Sequence, residues 1–326
     1  MIYIETNSTD ASYNFALEYY FTAEKQLEED IFLFWRTKPT LMIGKYQNTL
    51  EEINQKYAQD HDIYVVRRMS GGGTIYTDMG GWQFTFIAYG DSSGIHFEEY
   101  ISPLVQAMKA LGVRAEFNGR NDLLVEGKKV SGNAQYKLKG NTVHHGSLLF
   151  ETNIEQMVES TTVDAYKIIS KSIKSIRERV TNISEHLPTP MSTEQFKNHI
   201  ISYVMDGSEK QYELTKEDKL RIEEIANERF RTWESSYGAN PKYTITKTGR
   251  FYGGKIVIGM DVRRGHIASA KIWGDFFGTE QAELIADLLV GCRMEREDIL
   301  SKLKNHGMQE AIYGITIEDI IETITS

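Results

Sequence analysis

The sequence predicts an α+β fold with two domains, residues 1–240 and 241–326. Three observations carry this. Residues 97–111 hold Phe97, Tyr100, Ile101, Leu104, Val105, Met108 and Leu111 at helical spacing. Four short β-like runs follow, "RAEF", "DLLVEG", "KKVSGNAQYK" and "TVHHGSLLF", divided by glycines in the manner of a meander. Helices and strands do not alternate regularly, as a doubly wound parallel sheet would require.

Taken in order, residues 10–26 read as a helix capped by Asp10, with Tyr13, Ala16, Leu17 and Tyr20 on one face. "IFLFWR" and "TLMIGK" are apolar strands separated by Pro39, and Leu50, Ile53 and Tyr57 space a short helix. "IYVVRR" and "WQFTFIAY" are strands on either side of the turn "MSGGGTIY". The 97–111 helix ends at Gly112. After the meander, 155–180 is helical or mixed, and "STEQFKNHIISYVM" and "TKEDKLRIEEIANERFRTW" are helices, the second capped by Thr215 with Asp218 completing a capping box. "SSYGANP" is turn-rich and marks the domain boundary. Strands "YTITKTG", "KIVIGMDVRRG" and "HIASAKIWG" and helices at 279–290, 295–305 and 316–324 complete a small α+β unit.

The 326 residues are 40% hydrophobic and 25% charged, a globular balance that argues against disorder. A net charge of −9 argues against a nucleic-acid binder. The single cysteine, Cys292, allows no intramolecular disulfide. No stretch is apolar enough to span a membrane, and the first residues do not read as a signal peptide, so a cytoplasmic location is expected.

Four clusters are candidates for chemistry. In "RRMSGGGTIY", glycines let backbone N–H groups converge on an anion, Ser70 and Thr74 add hydroxyls, and Arg68 adds a guanidinium fork; an ordinary hairpin is an even alternative. In "GRND", Asp122 is placed to hold Mg²⁺ between phosphates, against a plain Asx turn with Arg120 as surface charge. In "KKVSGNA", a lysine can reach a phosphate, against two solvated lysines on a hairpin. In "HHG", alternation sends one histidine inward and the other outward; no third ligand stands at metal spacing, so a core histidine is the plainer reading.

In this order the motifs resemble the lipoate–protein ligases of the long bacterial type: "RRMSGGGTIY", "GRNDLLV", "KKVSGNA", "HHGSLLF" and "SIRERVTNI", preceded by "YNFALEYY", "FLFWR" and "MIGKYQN". The resemblance spans nearly the whole chain. It implies a biotin/lipoate ligase-like catalytic domain, with mixed, largely antiparallel sheets packed by helices, and a small C-terminal accessory domain. It implies that ATP and lipoate form lipoyl-AMP, and that a lysine of a lipoyl-carrier domain then takes the acyl group. The implied carriers are acyltransferase subunits of 2-oxoacid dehydrogenases and the glycine-cleavage H protein, with no nucleic-acid or membrane partner.

By the same resemblance Lys129 is the catalytic cation. Arg68, Ser70, Gly71, Gly72, Gly73, Thr74, Ile75, Tyr76, Asn121, Asp122, Gly132, Asn133 and Ala134 bind ATP or lipoyl-AMP. Arg68, Lys129, His145 and Gly146 contact lipoate, and Asp122 holds Mg²⁺. Arg67 is expected to be structural. Thr77 stands where some members have histidine and receives no role; Lys45 replaces an arginine of other members. The cationic run 166–180, with Lys167, Lys171, Lys174, Arg177 and Arg179, is expected near the path of the acceptor.

Rival readings are a cysteine-dependent octanoyl or lipoyl amidotransferase, biotin ligation, and a non-catalytic acyl-adenylate sensor. The first needs a thiol nucleophile, and Cys292 stands in the C-terminal unit. The last needs an added DNA-binding helix pair that these ends do not carry.

Overall fold

In a computed structural model, residues 1–90, 94–161, 177–238, 245–263 and 265–325 are described. Apolar alternation builds one large sheet. The strands are β1 (Ile2–Tyr3), β2 (Ile31–Trp35), β3 (Thr40–Ile43), β4 (Tyr64–Arg67), β5 (Ile75–Thr77), β6 (Trp82–Ala88), β7 (Ala115–Phe117), β8 (Asp122–Val125), β9 (Lys128–Leu138) and β10 (Asn141–Leu148). Seven of them form a sheet in the order β1-β2-β6-β10-β9-β8-β7, and β4-β3-β5 form a second, three-stranded sheet. The large sheet is antiparallel except for the β1–β2 pair.

Strand β2 shows why the large sheet is covered on both faces. Phe32 and Phe34 pack with Phe84 and Phe86 of β6 against helices Glu98–Ala110 and Thr193–Val204, through Leu104, Met108 and Phe196. Ile31, Leu33 and Trp35 point the other way, onto Phe15 and Leu17 of helix Ala11–Tyr19 and onto Ile222 and Ile225. A period of two therefore places an apolar side chain at every position of the strand.

The segment 68–74 differs from the hairpin alternative. Strands β4 and β5 both pair with β3, parallel and antiparallel respectively, while β6 belongs to the large sheet. The glycines thus cross between the two outer strands of the small sheet. Asp10 caps its helix through Ser12 N–H, and Thr215 and Asp218 form the expected capping box. The short helix expected around Leu50–Tyr57 is two, Thr49–Glu52 and Gln55–Asp60.

Strands β11 (Ile245–Phe251), β12 (Gly254–Arg263) and β13 (His266–Gly274) form a third, antiparallel sheet. Helices Gln281–Leu289, Arg296–Asn305 and Ile317–Thr325 cover it around a separate core that includes Ile256, Ile258, Ile285 and Ile321. The expected domain boundary falls at residues 239–244, outside the described residues. This C-terminal unit packs against the glycine segment. Gly72 N–H donates to the Phe276 carbonyl at 2.8 Å, Tyr46 stacks on Phe276 at 4.6 Å between ring centroids, and Lys45 pairs with Glu283. No described helix is long and apolar enough to cross a membrane.

Candidate active site

The two arginines of β4 and the turn have separate tasks. Arg67 donates to the carbonyls of Gly44 (2.9 Å), Gln47 (2.7 Å) and Ser235 (2.9 Å) and to the Thr49 hydroxyl (2.7 Å). It ties the ends of several loops together. Arg68 turns back on the glycine segment. Its Nη2 donates to the carbonyls of Gly71 and Gly73, its Nη1 to Met42, and its Nε to the Ser70 hydroxyl. Burial lowers both pKa values to about 10, and Arg67 adds to the effect on Arg68. Both remain cationic at neutral pH.

The "GRND" segment is shaped by Asn118, whose side-chain oxygen accepts from the N–H groups of Arg120, Asn121 and Asp122. Asn121 and Asn133 then bond reciprocally across β8 and β9, each amide donating to the other's carbonyl. This carries Asp122 to Lys129, Oδ1 to Nζ 2.7 Å. Arg120 is not a free surface charge: its Nη2 donates to the Gly253 carbonyl of the C-terminal unit at 2.9 Å.

Both histidines of β10 are buried, because both faces of the sheet are covered. His144 faces Tyr100 and Phe84, and its Nε2 bonds Asn133 Oδ1 at 3.2 Å. Burial, then the neighbouring His145, pushes its pKa well below the usual value. His145 faces the opposite side, toward Ser70 and Glu18.

Two cavities meet at Lys129. The first, about 100 Å³, runs between the glycine segment and β9–β10. Its walls include Arg68, Gly72, Gly73, Asn121, Asn133, Ala134, His145 and Gly146, with Phe15, Trp35 and Met42 at an apolar end. The second, about 520 Å³, is lined by Tyr76, Asp122, Glu52, Ser147 and Arg179. Thr74, Ile75, Lys129 and Gly132 border both. A small, apolar-ended slot thus joins a larger one at a lysine.

Ser70 and Gly71 line neither cavity; Ser70 is fully buried behind the first. Sequence reasoning missed Phe15, Trp35, Met42, Gln83 and Phe277, which line the first cavity from distant parts of the chain. It also missed Glu18, for which the one signal was a lone acid in the otherwise apolar and aromatic "FALEYYF". Arg177 pairs with Glu155 at 3.3 Å, and the Arg179 carbonyl accepts from Lys129 N–H. Lys167, Lys171 and Lys174 lie outside the described residues. Cys292 is buried in the C-terminal unit, where burial raises its thiol pKa, the reverse of what a nucleophile requires. Among the described residues, no three His, Cys, Asp or Glu side chains cluster as a metal site would need.

The family model for the lipoyl protein ligase A/B catalytic domain matches residues 10–205, and that for the bacterial lipoate protein ligase C-terminus matches 240–324. The chain is 40% identical over 330 residues to the lipoate-protein ligase LplJ of Bacillus subtilis (strain 168), covering 99% of this chain and 100% of that one. In fold it is similar to P. falciparum LipL1, solved in complex with lipoate: TM-score 0.81, 22% identity, covering 99% of this chain and 98% of that one. It is also similar to a lipoate-protein ligase A bound with ATP: TM-score 0.60, 21% identity, covering 73% of this chain and 97% of that one.

Proposed function

The chain belongs to the lipoate–protein ligase family, and on that premise we propose that it activates free lipoate with ATP and passes the lipoyl group to a carrier lysine. The observation that carries this reading is the meeting of two unlike cavities at Lys129. The narrow one, with its apolar end, suits a dithiolane and its aliphatic chain. The wider one suits a nucleotide. In the first step the lipoate carboxylate attacks the α-phosphorus of ATP, and pyrophosphate leaves. In the second the carrier amine attacks the acyl carbon, and AMP leaves. Both steps gather charge at the junction, where the Lys129 ammonium stands.

Arg68 acts differently from a simple phosphate clamp. Four of its N–H bonds are committed to Met42, Ser70, Gly71 and Gly73, so it shapes the glycine segment and contributes its charge from behind. Ile75 and Tyr76 wall the nucleotide side, and His145 and Gly146 the acyl side. Lys129 is about one-third exposed and is paired with Asp122, an ion pair of small net worth that a phosphate can replace. Mg²⁺ characteristically takes one or two carboxylates together with substrate phosphates, and Asp122 fits that donor set. The ion would supply charge neutralisation on the phosphates, with Asp122 as its holder. No side-chain nucleophile is required, which agrees with the position of Cys292.

We assign adenylation and transfer to residues 1–240, with 241–326 as an accessory domain. The carriers we propose are lipoyl domains of 2-oxoacid dehydrogenase acyltransferases and the glycine-cleavage H protein, met in the cytoplasm. The test is lipoate-dependent ATP–pyrophosphate exchange. The native chain should catalyse it, and Lys129→Ala should lower its rate by about 10²–10³, the usual cost of removing one preorganised charge-stabilising donor. Undiminished exchange in the variant would remove Lys129 from its role, and no exchange in the native chain would remove the reading.

A further inference from the structure

Behind the acyl cavity lies a buried chain of polar groups, of which the reaction above uses neither Glu18, Ser70 nor Thr85. Arg68 Nε–H donates to Ser70 Oγ at 3.0 Å. Ser70 Oγ lies 2.6 Å from His145 Nε2. His145 Nδ1 lies 3.1 and 3.2 Å from the two carboxyl oxygens of Glu18. Thr85 O–H donates to Glu18 Oε1 at 2.6 Å, and Trp35 Nε1–H donates to Thr85 Oγ1 at 3.2 Å. Every member is at least nine-tenths buried.

We propose that Glu18 is a positioning residue for adenylation, the common acceptor that gives this relay its direction and thereby holds the glycine segment in register with the substrates. The inference rests on the ligase reading.

The direction follows from donor counting. The Glu18 carboxyl oxygens face a hydroxyl and an imidazole nitrogen, so in the neutral ring Nδ1 carries the imidazole proton and Nε2 is left as an acceptor. Ser70 O–H must then donate to Nε2, which leaves its lone pairs for Arg68 Nε–H. Two branches of donors therefore end on one carboxyl group. Their members stand on different elements, the glycine segment and β10 in one branch and β2 and β6 in the other, while Glu18 stands on helix Ala11–Tyr19. The relay fastens three consecutive glycines to the buried core of the molecule.

The order Ser–His–Glu imitates a hydrolase triad, but Ser70 is not placed to attack a substrate. It is 0% exposed, lines neither cavity and already accepts from Arg68. Its hydroxyl is a link. The other end of the link is Arg68, whose Nη2 grips Gly71 and Gly73, so a change at Glu18 is transmitted to the residues that border the acyl slot.

Glu18→Gln keeps the size of the side chain and reverses the polarity of one arm. The new NH₂ faces either Thr85 O–H or His145 Nδ1–H, and relief by the other imidazole tautomer would point Nε2–H at Ser70. The measurements are lipoate-dependent pyrophosphate exchange, lipoate binding without ATP by calorimetry, and Tm, for the native chain, Glu18→Gln, Ser70→Ala and the double variant. Misplacement by about 1 Å predicts a fall in exchange kcat of about 10- to 100-fold in Glu18→Gln, with lipoate Kd moved by no more than about threefold. If both residues act through one relay, the double variant is no slower than the slower single. Exchange in Glu18→Gln within about twofold of native, a double variant whose loss is the product of the singles, or a loss matched only by a lower folded fraction would each overturn the proposal. A native chain silent in exchange would overturn the ligase reading, and this inference with it.

Discussion

Gly146→Ala tests the packing behind the acyl wall. Gly146 lies on β10 opposite Phe84 of β6 and Asn133 of β9. A β-carbon there would press hardest on Phe84 Cζ, and would stand 2.6 Å from Asn133 Oδ1 and 2.8 Å from Phe84 Cε1. Comfortable carbon contacts begin near ~3.5 Å, so the ring must retreat by about 1 Å. Phe84 is fully buried in the main core and stacks on His144 at 6.0 Å, so it has no free direction. Overpacking of this kind costs about 1–3 kcal/mol. For a chain of this size that lowers Tm by about 1.5–4.5 °C. Asn133 must also yield. It holds Asn121 and lines the acyl cavity, so KM for lipoate in exchange should rise by about tenfold, the cost of losing about 1.4 kcal/mol. Thermal unfolding and exchange kinetics on the same preparation decide the matter. Shortening the ring should help: Phe84→Leu combined with Gly146→Ala should be more stable than the sum of the two losses predicts. A Gly146→Ala variant with native Tm and native KM would refute the steric reasoning.

Two further changes bear on stability. Arg67→Ala strands the carbonyls of Gln47 and Ser235, while that of Gly44 keeps the Gln47 N–H, and should cost about 3 kcal/mol in denaturant unfolding, since each buried acceptor left unpaired costs about 1–3 kcal/mol and water recovers part; a midpoint equal to native would exclude the structural role. The depressed pKa of His144 makes stability fall on acidification. The unfolded imidazole binds a proton below about pH 6.5 while the folded one does not, so stability is lost as pH falls from there toward the folded pKa, at about 1.4 kcal/mol per unit. This component of the Tm slope between about pH 7 and 5.5 should vanish in His144→Gln; an unchanged slope would assign it elsewhere.

What the sequence made legible was local. The helix at 98–110, the Asp10 cap and the Thr215–Asp218 capping box follow from spacings of three and four residues, and these appear where expected. The strands of the meander were legible because period-two alternation is also local. Pairing was not. That β4 joins β3 in parallel while β6 enters another sheet depends on chain closure over distances that no short window records. The two histidines show the same limit. Alternation divided them correctly between faces, but burial of both depends on helices packed over each face. The contact of His145 with Glu18 spans 127 positions, and its only local trace was an acid out of place.

One contact between the units has a consequence for mass action. The N–H of Gly72 is bonded to the Phe276 carbonyl, and Phe277 closes over the same glycine. Gly72 borders the acyl-side cavity, so a phosphate oxygen that reached across the junction for that N–H would have to displace this carbonyl. The C-terminal backbone is then a tethered competitor, present at a fixed local concentration that no dilution lowers. Apparent nucleotide affinity is the intrinsic affinity scaled by the fraction of time this donor is released. Affinity for ATP would therefore be adjustable from Lys45–Glu283 or Tyr46–Phe276, neither of which needs to touch the nucleotide.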